Sequence, residues 1–398
     1  MKILVNTSTF KQSLNDPAPN FINKLVENFS EENQFFILYP RKIEKVENKN
    51  SIKNITLIPY NYIFPSKFSN LSKYGLYPSI KKNKLNLIKI LFLIFFQFIN
   101  LIYFSIKLKP QIIYSHWVFP QGFISALVGK MLNINTVFTS HGSDVKILNN
   151  LGYFGKFIIN FTLNNSVKFT AVSKNGLENL KFATPNNSKV FNSEIIPMGV
   201  DEIFFTKEKL VSKKLTNTIK FLYFGRFINY KGIDLIIEAA FKLKKVSGVD
   251  FKIDLIGTGI EINNIKKQIK HYDLEKFITV INFVEKEELI NFIDESDFVI
   301  IPSKITKNEY EAGPLSLVEA MARKKICIVS NSIGFIDFIN KENAIIFESN
   351  SIDDLLNKMI EALSFSNKKR KIIENEAYKL SENFKYRIIS KKTEEFLF

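Results

Sequence analysis

Short β-branched or aromatic runs alternate with stretches of helical period along the whole chain. In the first half the runs cover residues 3–6, 35–39, 55–59, 112–116, 136–139, 169–172 and 194–197. The second half restarts the pattern at 219–224, 252–256, 279–283, 298–301, 326–329 and 344–347. Strands that alternate with helices predict parallel sheets covered by helices on both faces. Residues 201–218, polar and lysine-rich with little periodicity, read as a linker, and residues 368–398 read as two helices. A chain of 398 residues is too long for one ordinary core and suits two domains of about 180–200 residues each. The pattern divides it into an N-terminal domain 1–200, a C-terminal domain 219–380 and a terminal helix, 381–398.

One segment departs from this alternation. Residues 85–106 are the most apolar stretch, with an uncharged run of 17 residues from 90 to 106; a spanning helix wants about 20. Asn86, Lys89, Gln97, Asn100 and Lys107 fall at helical spacing, and Leu93 and Phe104 fill the same line. That is a narrow polar stripe on an otherwise apolar helix. Such a helix is buried in a core, lies in a membrane interface or, as a third reading, spans the membrane. Lys73, Lys81, Lys82 and Lys84 precede it.

Composition adds three bounds. Hydrophobic residues make up 46% of the chain, enough to build cores. The net charge of +16 is uneven: residues 1–200 hold 23 Lys+Arg against 9 Asp+Glu. The basic half suits anionic lipid or a phosphorylated acceptor. Nucleic acid is not expected, because no stacked aromatic platform or recognised motif accompanies the charge. Cys327 is the single cysteine, so no disulfide forms within the chain and a reducing, cytoplasmic compartment is expected. The N-terminal apolar run reads as a first strand, too short for a signal peptide.

In open α/β sheets, ligands bind beyond the carboxyl ends of the strands. Polar and glycine-rich segments cluster at those positions. Gly225, Arg226, Lys231 and Gly232 follow the run 219–224 and precede a helix at 233–245. Two cations beside helix N-terminal amides suit a diphosphate. Gly257 and Gly259 follow the next run as a GxG, which fits half a dinucleotide fingerprint or a plain tight turn. Glu311 and Glu319 bracket Gly313, Leu315, Ser316 and Leu317. The amides of residues 315–317 are free at a helix start and suit phosphate, while the two carboxylates suit sugar hydroxyls. In the first half His116 and Trp117 end one run, and His141 and Asp144 follow the next. Zinc at His116, His141 and Asp144 lacks support from close ligand spacing.

These segments, in this order, resemble the family 4 retaining glycosyltransferases of GT-B fold, also called glycosyl transferases group 1. The resemblance rests on Gly225-Arg226 with Lys231-Gly232, on the Glu-x7-Glu from Glu311 to Glu319, and on the segments 197–201 and 141–144. Residues 115–122 look like bacterial members that build surface polysaccharides. The resemblance implies two Rossmann-like domains whose parallel sheets face a central cleft. It implies that Arg226 and Lys231 neutralise the donor diphosphate, Glu319 binds the ribose, Glu311 touches the donor sugar near its reacting carbon, and His141 contacts that sugar. His116, Trp117 and Asp144 fall on the acceptor side. Departures occur at residues 7–20, which contain no glycine where the family commonly has a glycine-rich loop, at Phe283-Val284, and at the Lys- and Thr-rich segment 302–311.

The expected reaction moves a sugar, with retention, from a UDP- or GDP-sugar to a growing glycan or lipid-linked acceptor, at the inner face of a membrane. The nucleotide sugar is a co-substrate; no further cofactor and no metal are expected, and the chain holds no Asp-x-Asp triplet. A nucleotide-sugar epimerase of the same fold and a non-catalytic scaffold subunit are the alternatives.

Overall fold

The computed structural model describes residues 1–11, 20–41, 54–63, 71, 86–184, 192–205, 218–246, 249–306 and 311–398. Lys73, Lys81, Lys82, Lys84, most of segment 7–20 and residues 206–217 and 307–310 lie outside the described residues. The chain divides into two units, Met1–Gly199 with Tyr386–Phe398, and Val200–Lys385.

The first unit is a parallel sheet in the order β3-β2-β1-β4-β5-β6-β7. Its strands are β1 (Lys2–Asn6), β2 (Gln34–Pro40), β3 (Ile55–Tyr60), β4 (Ile112–His116), β5 (Asn135–Ser140), β6 (Lys168–Ala171) and β7 (Ser193–Ile195). Helix α1 (Phe21–Glu27) joins β1 to β2, α2 (Asn86–Leu108) leads into β4, and α3 (Phe123–Leu132) into β5. Helices α4 (Ser143–Asn150) and α5 (Gly152–Asn164) lead into β6, and α6 (Lys174–Ala183) follows it. The central strands are apolar on both faces: Ile3, Leu4 and Val5 are fully buried, as are Ile113 and Tyr114. A strand covered by helices on both sides requires that continuous apolar run.

The second unit is a parallel sheet in the order β10-β9-β8-β11-β12-β13. Its strands are β8 (Thr218–Phe224), β9 (Asp250–Ile256), β10 (Ile278–Ile281), β11 (Phe298–Ile301), β12 (Ile326–Ser330) and β13 (Ile345–Phe347). Helices α7 (Ile233–Leu243), α8 (Ile262–His271), α9 (Lys286–Glu295), α10 (Leu315–Ala322), α11 (Ile352–Leu363) and α12 (Asn367–Glu382) cover it. Helix α13 (Tyr386–Leu397) belongs to the first unit, where Ile389 and Leu397 enter the core and Ser390 Oγ donates to Leu25 O at 2.9 Å. In both sheets the strand order reverses beside the first strand of the unit, at β1/β4 and at β8/β11. Such switch points open a crevice at the strand carboxyl ends. The residues expected as linker are not all loop: Phe204 and Phe205 are buried in the second unit's core, because an aromatic pair gains more from burial than a polar tether allows.

Helix α2 buries a glutamine, Gln97, within an otherwise largely apolar inner face. Ile90, Leu93, Gln97, Leu101 and Ser105 are the buried positions. Gln97 Nε2 donates to Asn6 Oδ1 at 2.7 Å, and Asn6 Nδ2 donates to Ser125 Oγ at 3.0 Å. Of the polar stripe, Gln97 alone is buried and serves a network at the end of β1, while Lys107 is exposed and an apolar face is left outward. Gln97→Leu, although more hydrophobic, should cost about 1–3 kcal/mol because Asn6 Oδ1 loses its donor. The outward Leu91→Ala should stay within about 0.5 kcal/mol of the parent. Urea denaturation of the two variants checks the contrast; equal effects would contradict the buried role of Gln97.

Candidate active site

In the second unit the site grows from the ends of β8 and β11. Beyond Phe224 the backbone turns at Gly225, whose N–H donates to Ile256 O at 3.0 Å. Gly257, with φ of +148°, lies so close that an added Cβ would stand 1.9 Å from Gly225 O. Loop-on-loop packing thus requires a glycine at position 257. Gly232 (φ +70°) opens α7, and a Cβ there would stand 2.0 Å from Pro302 O. The β8 and β11 loops can meet only because that residue has no side chain.

This close approach brings Lys231 to Glu311. Their Nζ and Oε2 form an ion pair, with side chains 14% and 9% exposed. Ser303 Oγ donates to the same carboxylate oxygen at 3.3 Å, and Gly334 N donates to Glu311 O at 2.7 Å. Arg226 is exposed and donates from Nη2 to Tyr230 Oη at 3.0 Å, while Lys231 Nζ lies 5.9 Å from the Tyr230 ring centre. The two cations therefore flank one tyrosine. Tyr223 Oη donates to Arg226 O at 3.0 Å and fixes the turn. Ser303, Tyr223 and Tyr230 were not singled out in the sequence. Ser303 carries the same signal as the others, a polar side chain just beyond a strand.

Helix α10 starts beside Glu311. Gly313 packs against Phe335, whose ring would stand 2.4 Å from an added Cβ. The amide of Leu317 is not free as expected: it donates to Pro314 O at 3.0 Å, because the first turn tightens onto the proline carbonyl. Its side chain is fully buried in the core. Among the described residues the amides of Leu315 and Ser316 have no such acceptor. Glu319 lies on this helix, partly buried, and burial pushes its carboxyl up to about 7. Lys286 and Lys231 draw it down and Asp201 raises it further. Lys286 is itself paired with Asp201 at 2.6 Å.

In the first unit the ends of β4 and β5 bring two histidines together. His116 Nδ1 lies 3.2 Å from His141 Nε2, and the rings stack with centres 5.4 Å apart. Trp117 and Phe21 pack on His141 at 4.8 and 5.1 Å. Burial holds both imidazoles well below the usual histidine range, so the pair is neutral near pH 7. Asp144 Oδ2 accepts from Val118 N at 2.5 Å and Phe119 N at 3.3 Å. Burial raises its carboxyl to about 6 against those bonds. Asp144 therefore holds the turn after Trp117, whose φ is +71°. His116 Nε2 and Asp144 Oδ1 are buried with no partner among the described residues. No group of three or more His, Cys, Asp or Glu among the described residues is placed to hold a metal.

A carboxyl raised from about 4.5 to about 7 binds more protons folded than unfolded between those values, so Glu319 lowers stability as pH rises through that window. Glu319→Gln removes the loss. The variant should exceed the parent by about 1–2 kcal/mol at pH 8, a value discounted for partial exposure. The gain should vanish by pH 5. Denaturant melts across pH check this, and a pH-independent difference would contradict it.

Two family models match the chain. Glycosyl transferases group 1 covers residues 204–380, and glycosyl transferase 4-like covers residues 43–173. An uncharacterized glycosyltransferase of Methanocaldococcus jannaschii is 28% identical over 273 residues, 67% of this chain and 69% of that protein. The amylovoran biosynthesis glycosyltransferase AmsK of Erwinia amylovora is 29% identical over 146 residues, 34% of this chain and 36% of its own. Among solved structures, Anabaena HepE in complex with UDP superposes with a TM-score of 0.68 at 15% identity, covering 99% of each chain. That likeness shows the GT-B fold. The second half of the chain thus matches the group 1 glycosyltransferases and the first half the glycosyl transferase 4-like family, in agreement with the fold.

Proposed function

We propose that this chain is a retaining, metal-independent hexosyltransferase that takes sugar from a nucleotide diphosphate donor, a UDP- or GDP-sugar, and passes it to a growing glycan or lipid-linked acceptor in surface polysaccharide synthesis. The observation that carries this reading is the pairing of Lys231 with Glu311, with Arg226 and Glu319 near by, at the β8/β11 switch point. The second unit holds the donor; His116, Trp117, His141 and Asp144 of the first unit serve the sugar and the acceptor. The likeness to a UDP-bound fold and to an amylovoran biosynthesis enzyme supports the donor class and the setting. The basic first half favours work at the cytoplasmic face of an anionic membrane, without nucleic acid.

The anomeric carbon–oxygen bond to the β-phosphate breaks, and the acceptor hydroxyl oxygen bonds to that carbon on the same face. The hydroxyl proton passes to the departing phosphate. Charge that builds on the phosphate is met by Arg226, by Lys231 and by the amides opening α10. Preorganised donors of this kind stabilise the transition state more than the ground state. Lys231 pairs with Glu311, so the diphosphate competes with a carboxylate that is then released toward the sugar.

A thermal-shift panel of UDP-, GDP-, ADP- and CMP-sugars should show one class that stabilises the chain. With that donor, Arg226→Ala and Lys231→Ala should each lower kcat by about 100- to 1000-fold, or ~3–4 kcal/mol. Absence of a shift with every donor at millimolar concentration contradicts the reading. So does turnover of the donor to an epimer without any acceptor.

A further inference from the structure

Outside the strand-end clusters, the most unusual surface is the outward face of α2. Leu87, Ile88, Leu91, Phe92, Phe95, Ile99, Tyr103 and Ile106 are all exposed, Leu91 by 61% and Phe95 by 57%. They form one continuous stripe at spacings of three and four residues, opposite the buried Ile90, Leu93, Gln97 and Leu101. Scattered apolar residues are ordinary on a soluble surface; a stripe the length of a 23-residue helix is not.

A second exposed aromatic cluster lies in the same helical layer. The connections β3 to β4, β4 to β5 and β5 to β6 all run the same way along the sheet. Right-handed crossovers therefore set α2, α3 and α5 on one face, where α2 packs on α3 and α3 on α5. At the start of α5, Tyr153 is 94% exposed and Phe154 64%, and Phe157 also faces solvent. Each helix runs antiparallel to the strand it leads into, so the starts of α2 and α5 lie at the same end of the layer.

Charge decides what covers this face. Residues 48–177 carry 15 lysines and a single acidic residue, Asp144. Lys107, Lys109, Lys130 and Lys156 are exposed on or beside α2, α3 and α5. A second copy docked about a twofold axis would set lysine rim against lysine rim. Anionic headgroups neutralise that rim, while the stripe enters the acyl boundary beneath them. Helix α2 is long and apolar enough to cross a membrane, but crossing would require it to leave its seat. Gln97 is tied to Asn6 of β1, and Ile90, Leu93 and Leu101 are packed among Leu4, Leu38 and Ile113. We infer that the first unit lies on an anionic bilayer with the outward face of α2, flanked by the aromatic start of α5, inserted flat into the interface. This deepens the membrane setting proposed above and names the surface that makes it.

Sedimentation of the full chain with vesicles of phosphatidylcholine and phosphatidylglycerol, against phosphatidylcholine alone, tests this without any donor present, so the result is independent of catalysis. The parent should bind the anionic vesicles at least tenfold more tightly, and 0.5 M salt should weaken that binding. Leu91→Glu with Phe95→Glu should lower vesicle binding at least tenfold. Its thermal midpoint and far-ultraviolet circular dichroism should stay those of the parent, since both positions are exposed. A second variant, Phe154→Ser with Phe157→Ser, should lower binding by a smaller factor. No vesicle binding by the parent, or binding unchanged in the α2 variant, overturns the inference. A parent dimer that the α2 variant dissociates, with no vesicle binding, overturns it in favour of a second copy of the chain.

Discussion

The ion pair between Lys231 and Glu311 organises the second unit's site. Two nearly buried opposite charges are costly to desolvate and stay together only where the backbone delivers them close and further donors share the load. Here Gly232 lets the β8 loop meet the β11 loop, Ser303 donates to the carboxylate, and Gly334 N holds the Glu311 carbonyl. Remove the glycine and the loops must part. The pair leaves the Lys231 ammonium matched by a carboxylate and largely out of water. On the proposed function, a nucleoside diphosphate would have to compete with Glu311 for that cation.

The sheets explain why chemistry gathers where it does. In each unit the order reverses beside the first strand, and parallel strands deliver every following loop to the same edge. The first unit spends that edge on a neutral histidine pair and an aspartate that holds the Trp117 turn. The second spends it on cations and carboxylates. Burial acts oppositely on the two sets: it keeps His116 and His141 uncharged and leaves Glu319 near its point of ionisation at neutral pH.

Most of the fold was legible because a doubly covered strand must be apolar throughout and its helices must carry a 3.6-residue period. The strand runs expected from 298–301 and 112–116 are the observed β11 and β4. What stayed hidden depends on partners distant in sequence. The facing of α2 is set by Gln97 meeting Asn6, 91 positions away. Ser303 matters because of Glu311 and Gly232, and Leu317 loses its free amide to a local tightening onto Pro314. Polarity alone also made residues 201–218 look like tether, although Phe204 and Phe205 anchor in a core. The motif residues at strand ends needed only the rule that ligands sit there; which of them touch one another needed the loops to be folded.

The most direct test of the Lys231–Glu311 account is calorimetric titration with whichever nucleoside diphosphate, UDP, GDP or ADP, stabilises the chain most. If Glu311 holds Lys231 before binding, Glu311→Gln frees the cation, and the diphosphate should bind about three- to tenfold more tightly than to the parent, or ~0.7–1.4 kcal/mol. Lys231→Ala should bind at least tenfold more weakly. Unchanged affinity in both variants would mean that the pair is structural only and that the diphosphate is bound elsewhere.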